Sequence, residues 1–250
     1  MTIARLAALA AFLAAWALPA AATDLTQMTD ADRAAFRAEV RAYLLDHPEV
    51  LMEAINELDQ RQQQAAAVAD QQLVQDNASA IFNDGHSWVG GNPDGDITMV
   101  EFMDYRCGYC KRAFPDVDQL LKTDGNIRYI VKEFPILGPQ SVLAAQFAIA
   151  VKQIAGDETY ATVHNALMGY NSDITMASLG RMAQTLGLDM DAISAKMNSP
   201  EVAAVINANR QLAGTLQITG TPTFVVKDQM LRGYLPLAQM EQMVSQIRSN

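Results

Sequence analysis

Two cysteines are the only ones in 250 residues, and they stand two residues apart, as Cys107-Gly108-Tyr109-Cys110. Ahead of them runs Ile97-Thr98-Met99-Val100-Glu101-Phe102-Met103, which reads as a buried strand with one acid in it. Behind them a helical pattern continues to about Lys122. A cysteine at the start of a helix meets unpaired backbone N–H groups and the positive end of the helix dipole. Both favour the thiolate, so this position lowers the pKa of Cys107. Arg106 and Lys111 are expected to add positive charge nearby. Cys110, one helical turn on, can reach back to resolve a mixed disulfide.

Other uses of the pair fit less well. A structural disulfide closing so short a ring gains about 2 kcal/mol, against roughly 4.7 for a 100-residue loop. A zinc site wants four ligands, and there is no second such pair. His47, His86 and His164 are scattered without ligand spacing. A strand–CxxC–helix order therefore reads as a redox site.

The flanking sequence supplies the rest of an α/β unit. Asp124-Gly125-Asn126 is a turn, and Ile127 to Phe134 alternates as a second strand, giving a parallel βαβ unit. From Gly138 to about Gln217 the chain is helix-like, with breaks near Gly156, Gly169, Gly187 and Pro200. A strand pair follows, Thr223–Val226 and Met230–Arg232, joined by a turn at Lys227-Asp228-Gln229. Leu237 to Ile247 closes as a helix. Two β-containing pieces thus flank a long helical stretch, so the economical architecture is one α/β domain split by an inserted helical domain. His86 to Asp96 holds Gly90-Gly91, Asn92-Pro93 and Asp94-Gly95, all turn chemistry, and reads as a boundary.

The N-terminal third is of a different kind. Arg5, the apolar run Leu6–Leu18, Pro19 and Ala20-Ala21-Ala22 form the three parts of a secretory signal, with cleavage expected after Ala22. The run falls short of the roughly 20 residues that a membrane span requires. Disulfides are permitted outside the cytoplasm. Thr23 to Asp84 then reads as helical, with no glycine and one proline, Pro48. Phe36, Val40 and Leu44, then Leu51, Ile55 and Leu58, mark one helical face. Such a segment is either a surface tether or an oligomerisation arm whose apolar stripe is buried against copies of itself. Net charge is −10, with 28 acids against 18 bases, the opposite sign from a nucleic-acid binder.

Gly220-Thr221-Pro222-Thr223-Phe224 puts a proline at the mouth of a buried strand, where it removes a ladder donor. Either the Thr221–Pro222 bond is cis, or the strand lies at an edge with proline in trans.

Cys-Gly-Tyr-Cys after VEFMDY, together with Gly-Thr-Pro before a strand, resembles the thioredoxin superfamily. More narrowly, the chain is similar to the DsbA-like periplasmic thiol–disulfide oxidoreductases, whose thioredoxin fold carries a helical insertion; Val131-Lys132-Glu133-Phe134-Pro135-Ile136-Leu137-Gly138 strengthens that match. Residues 41–58, RAYLLDHPEVLMEAINEL, resemble the helical arm of the ScsC-like (suppressor of copper sensitivity) branch. The resemblance implies Cys107 as nucleophile, Cys110 as resolving thiol, and Thr221–cis-Pro222 as the loop facing them. It places Glu101 as a buried acid near the redox pair. A buried carboxylate there can move protons to and from Cys110 and shift its pKa, and Lys132 or Arg128, on the next strand, is expected to pair with it. DsbA-like oxidases often carry His between the cysteines; Gly108-Tyr109 here points away from a strongly oxidising potential, as does negative charge from Asp104 and Glu101.

The expected domains are a signal peptide over 1–22, a helical arm over 23–82, thioredoxin-fold parts over 83–137 and 217–250, and an inserted helical domain over 138–216. The expected function is disulfide exchange in secreted or periplasmic proteins, as oxidase or isomerase, without a bound cofactor. Expected partners are unfolded or misoxidised secreted proteins, a membrane redox partner, and further copies of the chain, as a trimer held through residues 23–82. The alternative is a copper-binding protein using the same two soft thiolates.

Overall fold

Alternation along two neighbouring parallel strands decides most of the architecture. In the computed structural model, which describes residues 28–249, Ile97–Met103 forms β2 and Ile127–Glu133 forms β3. They pair in parallel with Glu101 opposite Val131 and Met103 opposite Glu133. Trp88–Gly91 is β1, antiparallel to β3, and the hairpin β4 (Thr223–Val226) and β5 (Gln229–Arg232) adds to the other side of β2. The five-stranded order is β1-β3-β2-β4-β5.

Both faces of this sheet are covered, so the central strands are buried almost along their whole length rather than alternately, as had been expected for Ile127–Phe134. Met99, Met103, Tyr129, Val131, Phe224 and Val226 face one core. It is completed by α4 (Gly108–Asp124), α5 (Pro139–Gly169) and α9 (Leu237–Ser249). Val100, Phe102, Ile130 and Val225 face the other, against Ile81 of α3 (Ala78–Phe82) and Leu212 and Leu216 at the end of α8 (Pro200–Thr215).

The inserted helices are α5, α6 (Met176–Thr185), α7 (Met190–Met197) and α8. Their starts are written locally. Thr175 and Ser178 form a capping box, Asp189 caps α7, and Ser199 caps α8 with Pro200 in its first turn. Gly156, at φ 84°, breaks α5 where the break was expected. Ala144, Ala145, Phe147, Ala148 and Ile149 are all buried, so this helix is core on nearly every side.

One strand escaped the sequence. The segment read as a turn-rich boundary contains β1, an edge strand whose existence depends on pairing with β3. Gly90 is needed there because the Trp88 indole lies where a side chain would project.

Ahead of the sheet stand α1 (Asp30–Asp46) and α2 (Glu49–Asp76), with Pro48 just before the second. The chain divides into two compact units between Arg61 and Gln62. Within the second unit, Val74 of α2 joins the sheet's second core and Asp70 pairs with Arg232. The anticipated signal segment lies outside the described residues.

Lys132 is fully buried on the second face. Its Nζ donates to Asp84 Oδ2 at 2.5 Å and to the carbonyl of Ala80 at 2.9 Å, tying the segment after α3 to the sheet. Burial alone would raise the Asp84 pKa. The hydrogen bond and charge of Lys132, helped by Ser87, overcome burial and hold it at about 2. Lys132→Met leaves a buried carboxylate without its cation, and urea unfolding is expected to show a loss of about 3–5 kcal/mol. Because the folded pKa is depressed, the pair's contribution is present at neutral pH and is lost as pH falls from near 4 toward 2. The variant's stability is expected to fall less steeply over that interval.

Candidate functional site

Cys107 is the N-cap of α4. The Cys110 backbone N–H donates to its Sγ at 3.4 Å, and the Thr221 carbonyl oxygen lies 3.1 Å from the same sulfur. The Cys107 pKa is lowered to about 5. A hydrogen bond from the Cys110 thiol is the largest cause; burial opposes it, and the Thr221 side chain and the backbone N–H groups of Cys110 and Tyr109 add to the lowering. Cys110 is completely buried. Its pKa is pushed far up, first by burial, then by its hydrogen bond to Cys107 and by the charge of Glu101. The pair is therefore strongly asymmetric: at neutral pH one sulfur is a thiolate and the other a thiol.

The second loop closes on this pair. Thr221–Pro222 is a cis peptide bond. The Pro222 carbonyl accepts from Gly233 N–H at 2.9 Å, and Thr223 enters β4 opposite Phe102. The sheet thus carries residues 221–222 to Cys107 from a point more than a hundred residues downstream.

Glu101 is buried and its pKa is raised to about 7. Burial is the main cause; the Tyr129 hydroxyl opposes it by donating to Glu101 Oε2, and the Cys107 charge adds to the rise. Among the described residues, Oε1 has no hydrogen-bond partner. Neither expected base reaches it. Arg128 and Lys132 alternate with Tyr129 and Val131 along β3, so they point to the opposite face. Arg128 donates to the Phe82 carbonyl and Lys132 to Asp84. Tyr129, on the same face as Glu101, takes the place the sequence had offered to a cation.

Arg106 and Lys111, expected as positive charge near the pair, also hold the turn through hydrogen bonds. Arg106 donates to the Ser172 carbonyl at 3.1 Å, and Lys111 to the Tyr170 carbonyl and Asn171. They fasten α4 to the loop after α5, and neither is among the causes of the Cys107 shift. Asp104, read only as a nearby charge, has a structural task. Its carboxylate accepts from the backbone N–H of Arg106 at 2.7 Å, Ile136 at 2.8 Å and Leu137 at 3.1 Å, and its carbonyl accepts from Cys107 N–H. An aspartate three residues before the first cysteine is a turn signal that could have been read as such. Tyr109 is exposed beside the pair. Among the described residues, no group of three or more His, Cys, Asp or Glu side chains is arranged to hold a metal ion, and no helix is long and apolar enough to cross a membrane.

A thioredoxin-like sheet, a helical insertion and a thiolate–thiol pair at a helix N-terminus define a class of redox-competent dithiol domains. Residues 98–245 match the DSBA-like thioredoxin domain family, and the chain belongs to it. Residues 32–65 match the copper resistance protein ScsC N-terminal domain. Among solved structures, a thioredoxin-like oxidoreductase from Silicibacter pomeroyi is 39% identical, with TM-score 0.65, covering 69% of this chain and 98% of its own. The thiol–disulfide exchange protein alpha-DsbA2 from Wolbachia pipientis is 27% identical, with TM-score 0.68, covering 73% and 98%. A linker-deletion mutant of Proteus mirabilis ScsC is 25% identical, with TM-score 0.65, covering 88% and 96%. A curated relative, the Na(+)/H(+) antiporter NhaA 3 of Salinispora tropica, is 29% identical over 147 residues, and the match spans 58% of this chain but only 22% of that protein.

Alkylation of the reduced protein by iodoacetamide is expected to modify Cys107 with a rate that is half-maximal near pH 5. Cys110 is expected to react only after unfolding, as peptide mass mapping would show.

Proposed function

We propose that this protein is a thiol–disulfide oxidoreductase of secreted or periplasmic proteins, with Cys107 as the attacking sulfur and Cys110 as the resolving one. The observation that carries this reading is the asymmetry of the pair: a thiolate at the helix N-cap against a thiol sealed in the core. In the reductive direction, the Cys107 thiolate attacks a substrate disulfide. A bond forms between Cys107 Sγ and one substrate sulfur, and the other leaves as a thiolate that takes up a proton. Cys110 then gives its proton to Glu101, attacks Cys107 Sγ and releases the second substrate thiolate. The substrate has gained two electrons, and the Cys107–Cys110 disulfide persists until a membrane redox partner reduces it. Run backwards, the same steps deliver a disulfide, so the direction follows the partner. The Thr221–Pro222 loop borders the attacked sulfur and holds substrate main chain there.

Glu101 suits the proton step because its carboxyl, near neutrality in affinity, can exchange a proton with a buried thiol at working pH. Secretion through residues 1–22, with cleavage after Ala22, supplies the compartment. The copper resistance family description of residues 32–65 supports a second reading, in which the two soft sulfurs bind Cu(I).

The arm over residues 23–82 is read as the means of trimerisation. In α1 no residue is buried, and Phe36, Val40, Leu51 and Ile55 lie 41 to 50% exposed. A repeated apolar face of this kind gains stability when it is covered by copies of itself.

With Cys110→Ser, the mixed disulfide between Cys107 and a substrate protein carrying scrambled disulfides is expected to accumulate, and non-reducing gels read it. With Glu101→Gln, attack still occurs but release of the substrate loses its inflection near pH 7. No trapped adduct at Cys107 would end the exchange reading. Light scattering on the full chain is expected to give about three times the chain mass. Ile55→Asp is expected to reduce it to a single chain with the sheet domain still folded.

A further inference from the structure

Behind the turn that carries Cys107 lies a second buried polar cluster that the exchange steps do not use. Glu133, at the end of β3, is 4% exposed. Its Oε1 contacts two hydroxyls, Tyr160 at 2.6 Å and Tyr105 at 2.8 Å. Tyr105 Oη also lies 3.0 Å from His164 Nδ1. All three partners are buried, and the Trp88 ring stacks over His164.

The proton count in this cluster is constrained. An ionised Glu133 would leave Oε2 buried with no donor and no cation to offset the charge. The groups facing it are Tyr105 and Asp104 from the turn after β2, and Tyr160 and His164 from α5. Glu101 lies on the same face of β2, and from α4 the Phe114 ring packs against His164. From α8, the Asn209 amide reaches only the Glu133 main-chain carbonyl. Tyr160 and Tyr105 both donate to Oε1, and a neutral His164 with its proton on Nδ1 donates to Tyr105 Oη. A neutral Glu133 removes the uncompensated charge from Oε2. Burial, the larger effect over the two hydroxyl bonds, raises the Glu133 pKa to about 8 and lowers that of His164 to about 4, in agreement with this count.

Tyr105 stands two residues before Cys107, in the same turn that Asp104 fastens to Ile136 and Leu137. We propose that protonated Glu133 is a positioning residue for thiol exchange: through Tyr105 it fixes the turn carrying Cys107 against the inserted helices, and its ionisation slackens that turn. On ionisation, Oε2 carries a buried charge that no donor or cation meets, which favours admitting water behind the turn. The proposal rests on the exchange function inferred above.

The test compares wild type with Glu133→Gln, whose uncharged amide keeps an oxygen that accepts from both hydroxyls. Reduced protein is reacted with glutathione disulfide between about pH 7 and 9.5, a range that brackets the raised Glu133 pKa, with rates expressed per Cys107 thiolate. Wild type is expected to slow at least threefold across that range. Glu133→Gln is expected to keep the neutral-pH rate within twofold and to show no such slowing, while Glu133→Ala is already slow at neutral pH. A Gln variant that follows the wild-type profile, or that is slow at neutral pH, overturns the proposal. Urea midpoints locate the proton independently of exchange. The folded state holds the Glu133 proton well above the unfolded carboxyl pKa, so this group's contribution to wild-type stability falls as pH rises from about 5 to 8.5. The Gln variant is therefore expected to gain on wild type over that interval, with the contributions of Glu101 and Cys107 cancelling between them. That gain, together with no exchange in either protein, would overturn the functional reading and leave the protonated cluster standing; no gain would overturn the cluster itself.

Discussion

The difference between two sulfurs one helical turn apart is what the rest of this structure serves. A helix N-terminus alone would favour both thiolates in some measure. Here the helix is driven into the core at its second cysteine, so the same turn that presents donors to Cys107 strips Cys110 of solvent. Each shift reinforces the other: a buried thiol that cannot ionise is a donor, and the thiolate it donates to raises its pKa further. This depends on α4 being pressed against the sheet by residues from three directions: β2 before it, α9 beside it and the inserted helices beyond it.

The sheet separates its buried charges by face. On the face under α4 lie Glu101 and Glu133, each hydrogen-bonded by tyrosine and neither paired with a cation. On the other lies Lys132 with Asp84, a full ion pair that fixes the segment ahead of the sheet. The consequence is chemical. Carboxyls without cations have their pKa values raised toward neutrality, where they can hold or give a proton. The paired aspartate has its pKa lowered and stays ionised, as suits a structural contact. Strand alternation, a local property, thus sorts acids into two kinds.

The distribution of loops follows the same logic. Asp104 fastens the cysteine turn to the loop after β3. Arg106 and Lys111 fasten it to the loop after α5, and Thr221 reaches it from the start of β4. The redox turn is held by segments that are distant in sequence, which gives a fixed sulfur geometry at a surface where a protein substrate must approach.

Much of this was legible in the residues. The strand before CxxC, the helix after it, the insertion, its glycine breaks and the final hairpin all follow from local signals: apolar runs, capping residues and turn dipeptides. The helix N-cap was enough to make Cys107 the more acidic cysteine. Local pattern could not show β1, because a short strand containing Gly90-Gly91 exists only through its ladder with β3. Nor could it choose the partner of Glu101, because register and facing between β2 and β3 are set by the packed sheet. Tyr129 was passed over for two cations that point away. The convergence of Tyr105, Glu133, Tyr160 and His164 from three separate segments has no sequence signature at all. Sequence determined which elements form and which sulfur is exposed to a helix terminus, since those are properties of neighbouring residues. The tertiary structure decided which buried acids are neutral and what holds them, since desolvation and hydrogen-bond partners arise only when distant segments close over the same atoms.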